Sequence, residues 1–444
     1  MTMKKTFIAL TLALFSLSAV AQQSRQEIKA NINLAGSNYV AYPGPQKQLT
    51  PAPTGYKPYY ISHYGRHGSR HLISSADYDK PYSALLRADS LGKLTATGKE
   101  VLDKLGLIRE DARERHGELT WLGARQHHGI ARRMYERFPE VFDGNTNIDA
   151  RSTVVIRCIL SMENALHELI SINPKLNIRH DASHHDMYYM NDGKSPYHKL
   201  RDTPEAREEL RQFNEKHTDY SHLMQVLFND ADYAKTLDRD NLGNDIFNVA
   251  ANVQSTELRH QLSLWDIFTE DEVYDYWLRT NAFWYMYYGP SKPTGGAGMY
   301  MQSNLLRNII ATADTCLRLP HPGATLRYGH EVNVMPLVCL LNLNGYGETI
   351  DNLEDLDDRG WYNYNIYPMG CNVQFVFYKP DGGSLRDADI LVKVLLNEDE
   401  ATLPVKTDCA PYYHWKDVRA YYLDKLDRKQ DEFNKKLKKL NKKS

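Results

Sequence analysis

The sequence predicts an α/β protein in which a helical segment is inserted between two halves of a sheet-based core. Three observations carry this. A strand pattern ending in glycine and histidine, then a helix, occurs twice, beginning at residues 59 and 324. Between the two, residues 180–305 are dominated by helical periodicity, as in 205–216, 220–228 and 270–288. After them, residues 372–378 and 389–396 read as late antiparallel strands.

Taken in order, the chain opens with Lys4 and Lys5, an apolar run from Thr6 to about Ala19, and a small-residue site at Ala19-Val20-Ala21. Residues 1–21 are therefore expected to be a secretory signal peptide, with export to the bacterial periplasm or beyond. The run is short for a membrane span, and no integral membrane segment is expected after cleavage. Removing these residues takes away two lysines and no acids, so the net charge moves from −2 to −4. Nothing in that balance favours nucleic acid, and any affinity for anions has to come from a local pocket. Hydrophobic residues make up 42% of the 444, ample for a large core of two or three domains.

Residues 22–58, with prolines at 43, 45, 51, 53 and 58, read as an extended surface lead-in. The stretch 59–70, Tyr-Tyr-Ile-Ser-His-Tyr-Gly-Arg-His-Gly-Ser-Arg, begins as a buried strand, and Gly65 and Gly68 break it. Arg66, His67 and Arg70 cluster there, at the kind of strand end where open α/β sheets place ligands. Two guanidiniums flanking an imidazole suit a doubly charged oxyanion, most simply phosphate. For an Arg-His-Gly tripeptide alone, a solvated basic turn is the competing reading.

Helices are predicted over 95–116 and 121–138, the second N-capped by Thr120, with Gln126 or His127 able to reach the site. Residues 148–169 pass from strand to helix, with Arg151 and Arg157 near the junction; an anion contact competes there with a surface salt bridge. His180, His184 and His185 read as a hydrogen-bonded cluster rather than a metal site. Gly295-Gly296-Ala297-Gly298 lacks the Lys-Ser/Thr of a nucleotide loop and reads as a hinge. The second strand, 324–328, ends at Gly329-His330-Glu331 and leads into a helix over 334–343. Residues 415–440 form a basic helical tail read as a solvated face with a disordered end. Five cysteines show no metal-type spacing; Cys158, Cys316 and Cys339 read as buried thiols, while Cys371 and Cys409 are open to pairing.

Together these residues supply what phosphoryl transfer needs. His67 is a nucleophile kept neutral by nearby cations, Arg66, Arg70, Arg157 and His330 grip the phosphoryl oxygens, and Glu331 donates a proton and then activates water. No metal or other cofactor is called for, because the arginines supply the charge.

Arg66-His67-Gly68-Ser69-Arg70 resembles the signature of the histidine acid phosphatases. Gly117-Glu118-Leu119-Thr120 with Gly123 and Gln126, Arg151-Ser152-Thr153 followed by Arg157, and Gly329-His330-Glu331 are similar to that family's later motifs, in order over about residues 59–345. The resemblance implies a central mixed, mainly parallel sheet flanked by helices. It also implies a core at 22–169 and 311–430, a helical cap at 170–310 and a basic tail at 431–444. Two departures stand out. Leu72 replaces the motif's proline, with His71 before it. The acid is Glu331 directly after His330, where common members have His-Asp and the multiple inositol polyphosphate phosphatases have His-Ala-Glu. Glu reaches about 1.5 Å beyond Asp.

The expected function is an exported phosphatase hydrolysing small-molecule phosphomonoesters, inositol polyphosphates such as phytate above all, through a phosphohistidine on His67. The alternatives are a broad acid or sugar phosphatase and a non-catalytic phosphate-ligand binding protein. In the cap, Lys194, Lys199, Arg201, Arg207 and Arg211 are either grips for extra phosphates or surface charge.

Overall fold

The computed structural model describes residues 23–191, 193–381 and 390–440, so the signal-peptide expectation lies outside the described residues. The strands are β1 Tyr56–Arg66, β2 Asn147–Ser152, β3 Asn177–Ala182, β4 Gly323–Gly329, β5 Asn372–Pro380, β6 Leu391–Leu396, β7 Asp399–Ala401 and β8 Tyr413–His414. They form one sheet in the order β3-β2-β4-β1-β5-β6-β7, with β8 also paired to β6. β3, β2, β4 and β1 run parallel, while β5 lies antiparallel to β1, and β6, β7 and β8 continue antiparallel. This is the expected mixed α/β sheet, parallel on the side that ends in the two histidines.

The longer helices are α1 Gln23–Ala30, α2 Ala76–Ser90, α3 Ala96–Asp111, α4 Trp121–Arg137, α5 Ile156–Ile172, α6 Pro204–Lys216, α7 Ser221–Leu227, α8 Arg239–Val253, α9 Glu270–Tyr288, α10 Ser303–Cys316, α11 Glu331–Leu341 and α12 Trp415–Leu440. Threonines set several starts by accepting a backbone N–H that the first turn leaves unpaired. Thr95 does so for α3 and Thr120 for α4, at 2.9 and 3.3 Å. Thr269 and Glu272 form a capping box on α9.

β1 alternates between two cores, as a strand of period two does. Tyr60 and Tyr64 pack with Trp284 and Tyr285 of α9 and Leu305 and Ile309 of α10. Ile61 points the other way, among Ala131 and Met134 of α4 and Met162 and Leu166 of α5. The helical insertion therefore shares its core with the sheet.

Four local expectations are corrected. Gly65 does not break β1, which runs on to Arg66. A Cβ there would lie 2.7 Å from Cε1 of His63, so glycine leaves room for the His63 ring. Residues 177–182, placed in the cap by the 170–310 boundary, form strand β3 of the sheet, because Asn147–Ser152 offers them a parallel edge. The lead-in is not extended throughout: it holds α1 and a short 3-10 segment, Ile32–Tyr39. The α12 tail is not a solvated face, since Trp415, Val418, Tyr422, Leu426 and Phe433 recur at helical spacing and are buried. All five cysteines are free thiols, Cys371 and Cys409 included.

Candidate active site

β1 and β4 are neighbours, and their register pairs Arg66 with Gly329. Parallel pairing thus brings both Gly-His ends to the same edge of the sheet. His67 donates its backbone N–H to the Gly329 carbonyl at 2.9 Å, and the two imidazole rings lie 5.7 Å apart, edge to face. His330 occupies the N-cap position of α11 and Glu331 its first turn. That helix starts three residues earlier than predicted, which places the Glu331 carboxylate at the positive end of the helix, over β1.

Arg66, His67 and Arg70 are almost wholly buried, at 0%, 0% and 2% exposure. Buried charge needs partners, and here backbone carbonyls supply them. Nη1 of Arg66 donates to the carbonyls of Asn38 and Tyr367 at 2.8 and 2.9 Å. Its Nε lies 3.0 Å from a Glu331 carboxylate oxygen, an ion pair without hydrogen-bond geometry. Nη1 of Arg70 donates to the His71 carbonyl, and its guanidinium lies 5.6 Å from the centre of the Tyr39 ring. Arg157, in the first turn of α5, donates Nη1 to the Gly117 carbonyl at 3.3 Å. Nε and Nη2 of Arg66, Nε of Arg70 and Nε of Arg157 are buried without a hydrogen-bond partner in the protein. Three guanidiniums against one carboxylate leave two positive charges, the complement of a phosphate dianion.

The loop that carries them is held from below. Gly68 donates its N–H to Ser161 Oγ at 3.1 Å, and Ser69 donates its N–H to Gln126 Oε1 at 2.8 Å. A Cβ on Gly68 would lie 2.5 Å from the Gly123 carbonyl oxygen, so glycine is required for the loop to touch α4. Leu72 explains one departure from the family motif: its amide donates to the Tyr78 hydroxyl at 2.7 Å, a bond proline cannot make.

His67 holds one ring nitrogen, Nδ1, 2.9 Å from the Gly68 carbonyl. A carbonyl only accepts, so Nδ1 carries the proton and Nε2 keeps its lone pair. Nε2 has no hydrogen-bond partner and stands 3.7 Å from Glu331. Burial lowers the His67 pKa well below 6.5, and Arg66, Arg157 and Arg70 lower it further. Burial likewise brings His330 down to about 4, against the pull of Glu331. Its Nε2 is 3.2 Å from Thr153 Oγ1. Burial pushes Glu331 up, but Arg66, Arg70 and His330 outweigh it and bring the acid to about 2.

His67, His330 and Glu331 present donor atoms within 4.8 Å of one another, a spacing that would fit a metal ion. The three guanidiniums around them oppose a cation and favour an oxyanion. Arg151 is not part of the site: it faces Asp149, Asp181 and Asp186 at 3.0 to 3.9 Å. His180 pairs with Glu163 at 2.8 Å and His185 with Asp186 at 3.2 Å, at the β3 edge of the sheet, separated from β1 by β2 and β4. In the helical insertion, Arg207 pairs with Asp202, and Arg211 with Glu208 and Glu215. Asn38, Tyr39 and Tyr367 were not legible as site residues, since two act through backbone carbonyls and all are distant in sequence from Arg66. A cavity of about 690 Å³ lies in the helical insertion, lined by Met224, Phe228 and Leu237 among others. None of the buried arginines reaches it, so the site is placed by its chemistry and not by the size of the hollow.

Two histidines at parallel strand ends, with Arg66 and Arg70 at and after the end of β1 and Arg157 on α5 beside them, form a cationic site of the kind that handles phosphoryl groups. The chain belongs to the histidine phosphatase superfamily, branch 2, whose model matches residues 66–397, and it is a phosphatase. Its fold is similar to that of the Bifidobacterium longum multiple inositol polyphosphate phosphatase in complex with inositol hexasulfate. The TM-score is 0.73 at 19% identity, over 87% of this chain and 96% of that one. The phytase of D. castellii matches with a TM-score of 0.67 at 14% identity, over 88% and 85%. The Hafnia alvei phytase in complex with tartrate matches at 0.52 and 14%, over 84% and 98%. Among curated proteins none matches by sequence.

Proposed function

We propose that this phosphatase hydrolyses phosphomonoesters through a phosphohistidine on His67, with Glu331 as proton donor and inositol polyphosphates as favoured substrates. The observation that carries the reading is the state of His67: buried, neutral, its Nδ1 committed to the Gly68 carbonyl and its Nε2 unpartnered beside Glu331. Nε2 attacks phosphorus, the N–P bond forms and the ester P–O bond breaks. Glu331 gives its proton to the departing alkoxide. It then takes a proton from water, whose oxygen attacks phosphorus and releases phosphate and free His67. The unpartnered N–H groups of Arg66, Arg70 and Arg157, with His330, hold the non-bridging oxygens.

Glu331 is ionised in the free site, so the proton has to arrive with the substrate. A phosphomonoester loses its second proton near pH 6, and the monoanion brings one. Its remaining charge competes for Arg66 and Arg70, which raises the Glu331 pKa and lets the carboxylate take the proton up. The helical insertion after β3, residues 183–322, is proposed as the cap over this site. Export, read from the first 21 residues, belongs to the same proposal and is checked by N-terminal sequencing of protein recovered from the periplasm.

The ion pairs of Arg207 and Arg211 favour a second reading, a broad phosphomonoesterase, because those cationic groups are already neutralised. The test is phosphate release from inositol hexakisphosphate and from 4-nitrophenyl phosphate, with His67→Ala as control. Preference for the hexakisphosphate, lost in the variant, supports the first reading. Equal turnover of both esters supports the second. Failure to trap phosphohistidine in a quench without acid, on an enzyme that turns over, removes the covalent mechanism.

A further inference from the structure

We infer that Asp408, Cys409 and His414 form a binding site for one zinc-like divalent cation, at the end of the sheet opposite His67. One ligand atom from each residue, an aspartate oxygen, the cysteine sulfur and an imidazole nitrogen, lies within 4.8 Å of the other two. Oδ1 of Asp408 is 3.1 Å from Nε2 of His414. Ligands on a tetrahedral zinc ion stand at such separations, given metal–ligand distances of about 2.0 to 2.3 Å. Sulfur, nitrogen and oxygen together suit zinc and its neighbours better than magnesium or calcium, which take oxygen alone.

The local backbone assembles the set. A turn in which Tyr412 donates its N–H to the Cys409 carbonyl at 2.9 Å folds the chain back between the two ligands. His414 is then fixed by β8, where it pairs with Leu391 of β6. The Asp408 side chain is 82% exposed and that of His414 32%, so an ion can enter from solvent and one coordination position stays open to water. Coordination forms the metal–sulfur bond and releases the thiol proton to solvent.

Strand register places this group far from the phosphatase chemistry. Leu391 faces Tyr378 of β5, and Tyr378 faces Pro58 of β1. Eight residues of β1, about 26 Å, separate Pro58 from Arg66. The ion would clamp the loop after β7 onto the start of α12, and it takes no part in phosphate release. The inference stands independently of the phosphatase mechanism.

Cobalt(II) is the probe. Added to the purified, metal-stripped chain under a non-thiol reductant, it is expected to bind with a thiolate-to-cobalt band in the near ultraviolet. Cys409→Ser removes that band and leaves phosphate release unchanged. In the unmodified chain, zinc protects Cys409 from alkylation, read residue by residue by mass spectrometry, so the result does not depend on how the variant folds. No thiolate band, a band that survives Cys409→Ser, or equal alkylation with and without zinc overturns the inference.

Discussion

Nε of Arg66 lies 3.0 Å from a carboxylate oxygen of Glu331. The arginine proposed to grip the phosphoryl group is thus held, in the free site, by the group proposed to deliver a proton. On that reading, phosphate binding and proton delivery compete for one guanidinium.

Glu331→Gln is expected to lower kcat on an alkyl phosphomonoester by about 10²- to 10⁴-fold, the usual worth of a positioned general acid. On 4-nitrophenyl phosphate, whose leaving group needs little protonation, the loss in the first step is much smaller. Parallel kcat/KM measurements on the two esters, which report the steps up to release of the alcohol, check this, and equal losses there would assign Glu331 a positioning role.

Because Glu331 is ionised well below neutral pH and the proton arrives with the substrate, kcat/KM is expected to fall as pH rises above about 6, where the ester loses that proton. The bell's alkaline limb then follows the substrate's pKa, and changing the ester to one with a lower second pKa moves it to lower pH.

Folding stability is expected to fall with acid from pH 6.5 downward. His71 and His330 are brought by burial to about 4, His63 and His127 to about 3, and His67 well below its usual value. A histidine with a lowered folded pKa stays neutral while the unfolded chain takes up a proton, so stability is full above 6.5 and drains as pH falls towards the folded value. Each such group contributes up to about 1.4 kcal/mol per pH unit in that window. Glu331 adds the same sign between 4.5 and about 2. Urea midpoints at pH 7.5, 6 and 5 measure the slope, and a flat profile would mean that these imidazoles are protonated in the folded state.

Tyr39→Ala removes the ring beside Arg70, 5.6 Å from its guanidinium. A cation–π contact of about 0.5 to 2 kcal/mol corresponds to a loss of about two- to thirty-fold in kcat/KM. Tyr39→Phe keeps the ring and is expected to recover most of it.

Gly68→Ala drives a methyl into the Gly123 carbonyl, which is backbone and cannot swing away. A stability loss of about 3 kcal/mol is expected, with loss of phosphate release, read by urea midpoint and assay together. At Gly65 the obstacle is the His63 side chain, so Gly65→Ala is milder.

Contiguous features can be read from the chain alone. Arg66-His67-Gly68-Ser69-Arg70 and His330-Glu331 were readable because a glycine-punctuated strand end and the residues it carries lie side by side in the chain. The Thr120 cap was readable for the same local reason, whereas the Thr95 cap came only with the fold. Arg157, and not Arg151, was the candidate the family resemblance picked out, and the fold separates the two: α5 turns Arg157 towards Gly117, and β2 turns Arg151 towards Asp149. The rest is set by the tertiary fold, which pairs β1 with β4 so that Arg66 stands opposite Gly329 and makes one site of two motifs 263 residues apart. It alone brought Asn38 and Tyr367 to Arg66, packed Phe433 of the basic tail into the core, and gathered Asp408, Cys409 and His414. Such contacts depend on backbone carbonyls, strand register and burial, which are properties of how distant segments meet, and side-chain identity along the chain does not encode them locally.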